Sequence, residues 1–313
     1  LAMVAMISAC SVFTNNATAV LWTNRPEMAA YAELFNAEMD GRRIEVVYQV
    51  EPWRALENDA EHPDLVAGAR LDSVLSISHF ASIDRLINKG SINPASFYQE
   101  ALSMGRREEK TFLLPLSFSL PIVVFRSEFS ASLADDYYIG VDEMRKLSGE
   151  FNIVDGRPTR MGYSPRWQPE FVYALALTLG AEFEETDERL PEWNDTRIQQ
   201  TIAYAVEWIN DTNGGYELEN SFESKYMYNP LYKLLDTSQI LFNFMKISEF
   251  LSLPAAIREN LDFRWFSAGK KISVCDDVIF VGKTRQSRKI KTTDAFLSWL
   301  FKPATQVKLL ETA

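Results

Sequence analysis

The chain has 313 residues, 47% hydrophobic and 24% charged, the balance of a globular protein long enough for two domains and neither disordered nor a multi-span membrane protein. Forty-three acidic against 32 basic residues leave a net charge of −11. That excludes a general nucleic-acid binder, whose affinity comes from Lys and Arg neutralising phosphates. Two cysteines, Cys10 and Cys275, and two histidines, His62 and His79, leave no material for a disulfide framework, a Cys/His metal cage or a histidine-based triad, so no metal or cofactor is expected.

Residues 1–10 are apolar, end in small residues before Cys10, and precede a polar stretch rich in Asn and Thr. This is the pattern of a secretory signal meeting its cleavage site, far short of the ~20 apolar residues that span a bilayer. Ile7-Ser8-Ala9-Cys10 resembles a bacterial lipobox, which implies a lipidated Cys10 and a chain that begins inside its signal. Residues 1–18 are read as signal remnant and lipidated tether. The first strand is Ala19-Val20-Leu21-Trp22. A helix follows with Asn24 as its expected N-cap, Pro26 in the first turn, and Met28, Tyr31, Leu34, Phe35 and Met39 on one face. Strands are expected at 44–48 and 64–67, then a helix capped by Ser78 with Phe80, Ile83, Leu86 and Ile87 facing inward. Short strands alternating with amphipathic helices imply βαβ units and a mainly parallel sheet. Apolar runs at 112–115 and 122–125 flank a link with Pro and Ser, read as a domain crossover.

A second α/β block has a strand at 160–163 and a nearly all-apolar helix at 171–179 opened by Pro169. An amphipathic helix at 195–210 carries the stripe Ile198, Ile202, Val206 and Ile209, and a strand is expected at 240–245. Strand-like pieces at Val274 and 278–281 return toward the first block. A C-terminal helix carries Phe296, Trp299, Leu300 and Leu309-Leu310.

Catalytic motifs are missing. Gly282-Lys283-Thr284 mimics the end of a phosphate loop, but that loop also needs glycine where Asp277 stands. Adjacent Asp276 and Asp277 on a strand point to opposite faces and cannot form one acid/base dyad. The basic residues Lys283, Arg285, Arg288, Lys289 and Lys291 read either as a solvated loop or as a docking patch. The segment from Tyr163 to Pro169 runs from strand to turn to helix, so polar and aromatic side chains collect at the carboxyl edge of a sheet, where open α/β sheets bind ligands. The loop from Phe222 to Pro230 has similar character. Its aromatics serve either a ligand or loop packing.

Five segments, in order, resemble the solute-binding proteins of bacterial ABC importers, of the class that includes maltose- and oligosaccharide-binding proteins. They are AVLWTNRPEMAAYAELFN (19–36), PDLVAG (63–68), LPLSFSLPIVVF (114–125), residues 163–173, and 273–282 with TDAFLSWLF (293–301). The resemblance implies a two-lobed periplasmic-binding-protein type II fold, α/β, each lobe a mainly parallel sheet flanked by helices, joined by hinge strands. Lobe 1 would comprise 19–119 plus 273–313, and lobe 2 would comprise 120–272. The family's chains usually continue past the position of Ala313 with further helices, a departure that leaves both a truncated and a shorter chain open.

The resemblance also implies that a small solute, a sugar or oligosaccharide, is held between the lobes and delivered to membrane permease subunits by an exported, lipid-anchored monomer, with no covalent chemistry. The ligand residues it nominates are Asn24, Arg25 and Glu27 in the first loop, Gly68 and Arg70 after the third strand, Ser117 and Ser119 at the hinge, and Arg166, Trp167, Tyr226 and Tyr228 from the second lobe. Trp167 would stack on a sugar face. Asn24 and Glu27 read equally as helix-capping groups, and Arg25 and Arg70 as solvated surface. A surface adhesin, a sensor subunit and a glycoside hydrolase are the alternative functions.

Overall fold

A computed structural model of the chain describes residues 18–58, 62–134, 137–152, 158–184, 192–193, 195–267 and 278–312. The leader with Cys10, and likewise Val274, Cys275, Asp276 and Asp277, lie outside the described residues. The chain divides into two compact units, one running to Phe118 and resuming at Asp277, the other from Ser119 to Asp276. Nine strands make up the two principal sheets among the described residues: β1 (Thr18–Thr23), β2 (Arg43–Tyr48), β3 (Leu65–Gly68), β4 (Leu113–Ser117), β5 (Pro121–Arg126), β6 (Tyr138–Ile139), β7 (Asn243–Lys246), β8 (Leu261–Phe266) and β9 (Ile279–Lys283).

The first unit carries the sheet β2-β1-β3-β9-β4. β1 runs parallel to β2 and β3, whereas β9 is antiparallel to β3 and β4. Ala19, Leu21 and Trp22 are buried, as a central strand covered on both faces requires. The helix Glu27–Glu38 presents Met28, Ala32 and Phe35 to the core. There the Phe35 ring meets Phe296 edge-on at 5.2 Å and Trp299 at 5.5 Å. Asn36 ties this helix to β2 by donating Nδ2 to the Ile44 carbonyl (2.9 Å) and accepting from the Ile44 amide (2.7 Å). Both bonds end with Asn36→Ala, so that variant is expected to lose about 1–2 kcal/mol in urea denaturation. A loss under a few tenths would show that water replaces the side chain.

Several local expectations are corrected. Asn24 does not cap the first helix; Pro26 occupies the cap position with no side-chain bond, and Asn24 turns away to donate to the Val50 carbonyl (3.2 Å). Ser78 caps nothing. Ser73 caps the short helix Val74–Ile77 by accepting from the Ser76 amide, and the next helix is Asp84–Asn88. Gly282 is a packing glycine, because a Cβ there would lie 2.6 Å from both Leu113 and Phe80 side chains. The basic run is not wholly solvated. Lys283 is buried and paired with Asp294 (2.7 Å), which also meets Arg85.

The second unit carries the sheet β7-β5-β8-β6. β5 is antiparallel to both β7 and β8, and only β8 with β6 is parallel. This sheet is therefore mixed rather than mainly parallel. A strand buried from Pro121 to Phe125, as β5 is, reads as the same apolar run whichever way its neighbours point. Residues 160–163 contribute only a bridge from Met161 to Ile240, and the later strand begins at Asn243. The helix Asp195–Glu207 buries Thr201, and Trp208 follows it into the core, while Ile202 and Val206 of the expected inward stripe are 55% and 47% exposed. Trp208 decides the rotation, since its large ring packs against Tyr163 (6.0 Å) and Phe171 (5.9 Å).

Candidate ligand-binding site

In the first unit, the carboxyl ends of β1 and β3 bring Asn24, Arg25 and Gly68 together. The Arg25 amide donates to Thr23 Oγ1 (3.0 Å), turning the chain sharply out of β1. With Nδ2 spent on Val50, Asn24 Oδ1 is buried without a hydrogen-bond partner, as is Arg25 Nε. A Cβ on Gly68 would stand 3.6 Å from Asn24 Oδ1, so glycine leaves that acceptor room. An acceptor and a donor left unmet at a strand edge form an incomplete hydrogen-bonding site. Glu27 opens the following helix, and its charge contributes, after burial, to raising the Tyr31 pKa. Arg70 is exposed and held in the left-handed region at φ 61°, a strained conformation for a residue with a Cβ. Ser117 lies at the end of β4, in a separate groove of about 560 Å³ with Phe97, Tyr98, Phe118 and Phe301.

The second unit has a cavity of about 140 Å³, partly open to solvent, lined by Ser119, Gln168, Glu170, Phe244, Lys246 and Glu249, together with Pro121, Ala174 and Met245. Ser119 Oγ bonds Ser248 Oγ (2.9 Å). Gln168 is fixed at both ends of its amide: Oε1 accepts from the Tyr163 hydroxyl (3.1 Å), and Nε2 donates to the Phe244 carbonyl (2.6 Å). It thereby ties the loop before the helix Pro169–Thr178 to β7, and the two walls of the cavity with them. Lys246 ends β7, and its amide donates to Glu249 Oε2 (3.1 Å) at the start of the helix Ile247–Leu251.

The other nominated residues of this unit lie elsewhere. Arg166 donates to Glu219 Oε2 (3.4 Å), Glu223 Oε2 (3.0 Å) and Asn220 Oδ1 (3.0 Å), and lies over the Tyr216 ring at 4.4 Å. Trp167 is stacked on Phe222 (5.9 Å, 19°), with Tyr163 against it at 5.4 Å. Tyr226 packs on Phe222 at 4.9 Å, and Tyr228 is 79% exposed. Ser119 is thus the one nominated residue of this unit that lines the cavity. Gln168, Glu170, Lys246 and Glu249 were not nominated. The available signal was the polar Gln168-Pro169-Glu170 run at the helix start and the charge that closes the apolar strand at Lys246.

Among the described residues, no helix is long and apolar enough to cross a membrane. No protein-family model matches the sequence, and no curated protein matches it. Solved structures do. The maltose-binding periplasmic protein of Listeria monocytogenes, in complex with maltose, is 15% identical with a TM-score of 0.67 over 95% of this chain and 78% of that one. The GacH receptor of Streptomyces glaucescens, solved unliganded and with acarbose, is 13% identical, TM-score 0.66, over 95% and 78%. The galacto-N-biose/lacto-N-biose I-binding protein of the ABC transporter of Bifidobacterium longum, in complex with lacto-N-biose, is 13% identical, TM-score 0.63, over 94% and 76%. The chain has the fold of these solute-binding proteins.

Proposed function

We propose that the protein is a solute-binding component of a bacterial ABC importer that captures a sugar or oligosaccharide and passes it to permease subunits. The observation that carries this reading is the shared fold over nearly the whole chain with proteins solved around carbohydrates. It is supported by the unmet Asn24 Oδ1 and Arg25 Nε in the first unit and by the polar cavity of the second. Groups of both kinds suit a polyol, whose hydroxyls donate and accept at once. Asn24, Arg25 and Gly68 are the candidate contacts of the first unit, and Ser119 with its neighbours those of the second. Such a protein binds and releases without making bonds, and it acts as an exported monomer. Tethering through a lipid on Cys10 belongs to the same proposal and rests on the Ile7–Cys10 pattern alone.

A panel of neutral mono- and oligosaccharides in a thermal-shift assay tests it. A ligand present at a hundred times its Kd adds about 2.7 kcal/mol. For units of this size that is a rise of roughly 5–10 °C in Tm. A full panel that leaves Tm unchanged overturns the sugar reading.

A further inference from the structure

We infer that the cavity of the second unit selects neutral sugars and rejects sugar acids; this deepens the proposed sugar-binding function and rests on it. The charged groups lining the cavity are Glu170, Lys246 and Glu249, two carboxylates against one ammonium. Lys246 belongs to the same short segment as Glu249, whose carboxylate accepts its backbone amide. Among the described residues, no guanidinium stands in the lining. Arg166, the nearest arginine in sequence, faces two carboxylates of its own, Glu219 and Glu223. A ligand carboxylate would therefore meet two carboxylates against a single ammonium. Glu170 and Glu249 are exposed, so this repulsion acts through water and is screened by salt. The net charge of −11 acts in the same direction by slowing the approach of anions. A neutral hydroxyl at the same position loses nothing: Ser119, Gln168 and Lys246 can donate to it, and Glu170 and Glu249 can accept from it.

The experiment pairs each neutral oligosaccharide of the panel with its C6-carboxylate counterpart and measures both affinities by calorimetry at two ionic strengths. The expected result is a carboxylate form at least tenfold weaker, with the gap narrowing at high salt. The double variant Glu170→Gln/Glu249→Gln is expected to bring the pair within about threefold. A carboxylate form that binds as tightly as its neutral partner overturns the inference and leaves sugar binding standing. A ratio unmoved by the double variant overturns the assignment to this cavity. Tight carboxylate binding lost on Arg25→Ala would put charge selection in the first unit, again against the inference. If no sugar of either kind binds, the sugar-binding function itself fails.

Discussion

Replacing Arg166 with alanine is expected to destabilise the protein by about 3–5 kcal/mol, because it leaves a buried carboxylate without its cation. Glu219 is fully buried and holds Asn213 Nδ2 at 2.7 Å through Oε1, while Oε2 faces Arg166. Burial is the largest influence on Glu219 and raises its pKa, against hydrogen bonds from Asn213 and Ser164 and the charge of Arg166. The sign follows from that direction. A carboxyl with a folded pKa above its unfolded value contributes stability that is complete below the unfolded pKa and lost as pH rises through the folded one. Without Arg166 the folded pKa climbs further. The deficit of Arg166→Ala should accordingly be largest near neutral pH and shrink as acid protonates Glu219. Urea midpoints measured across pH read this directly. Adding Glu219→Gln to Arg166→Ala should recover at least half the loss at neutral pH. A pH-independent deficit, or one below 1 kcal/mol, would show that Glu219 is reached by water. Loss of sugar affinity with stability intact would instead make Arg166 a ligand group.

The same residue shows what the sequence could and could not say. The strand-turn-helix pattern around Tyr163–Pro169 locates a sheet's carboxyl edge, because glycine, proline and apolar spacing are local signals. It does not say which side chains of the loop turn outward. Arg166 and Trp167 look like ligand groups beside Pro165, yet their partners Glu219, Glu223 and Phe222 lie more than fifty positions away, in a helix whose docking no local pattern encodes. The helix Asp195–Glu207 shows the same limit. Its isoleucine stripe is regular, but one tryptophan just beyond its end sets which face is buried. Strand direction in the second sheet is illegible for a related reason, since β5 is apolar from Pro121 to Phe125 and that run pairs equally well in either sense. By contrast Asn24 and Gly68, each nominated through the family resemblance alone, stand side by side because β1 and β3 run parallel and end at one edge of the sheet. What escaped notice there was the spare valence of Asn24, visible only once Val50 takes its amide.

Gln168→Ala is expected to cost about 2–3 kcal/mol of stability by stranding two groups at once, the hydroxyl of Tyr163 and the carbonyl of Phe244. Tyr163 is completely buried, and burial pushes its pKa well above the ordinary value, so its hydroxyl cannot escape the loss by ionising. Tyr163→Phe removes the stranded hydroxyl, and the double variant should therefore be more stable than the sum of the single losses predicts, by at least about 0.5 kcal/mol. The carbonyl of Phe244 stays unpaired in both backgrounds and sets the residual deficit. Because the same amide holds the loop to β7, sugar affinity should fall by roughly ten- to a hundredfold in Gln168→Ala, a loss of about 1.4–2.8 kcal/mol. Tyr163→Phe keeps the bond from Gln168 to Phe244 and should keep most of the affinity. Calorimetry at a temperature where every variant is folded separates the two effects. Equal affinity losses in the two single variants would mean that the cavity responds to the core around Tyr163 rather than to the bridge, and unchanged affinity in Gln168→Ala would remove this cavity from the binding site.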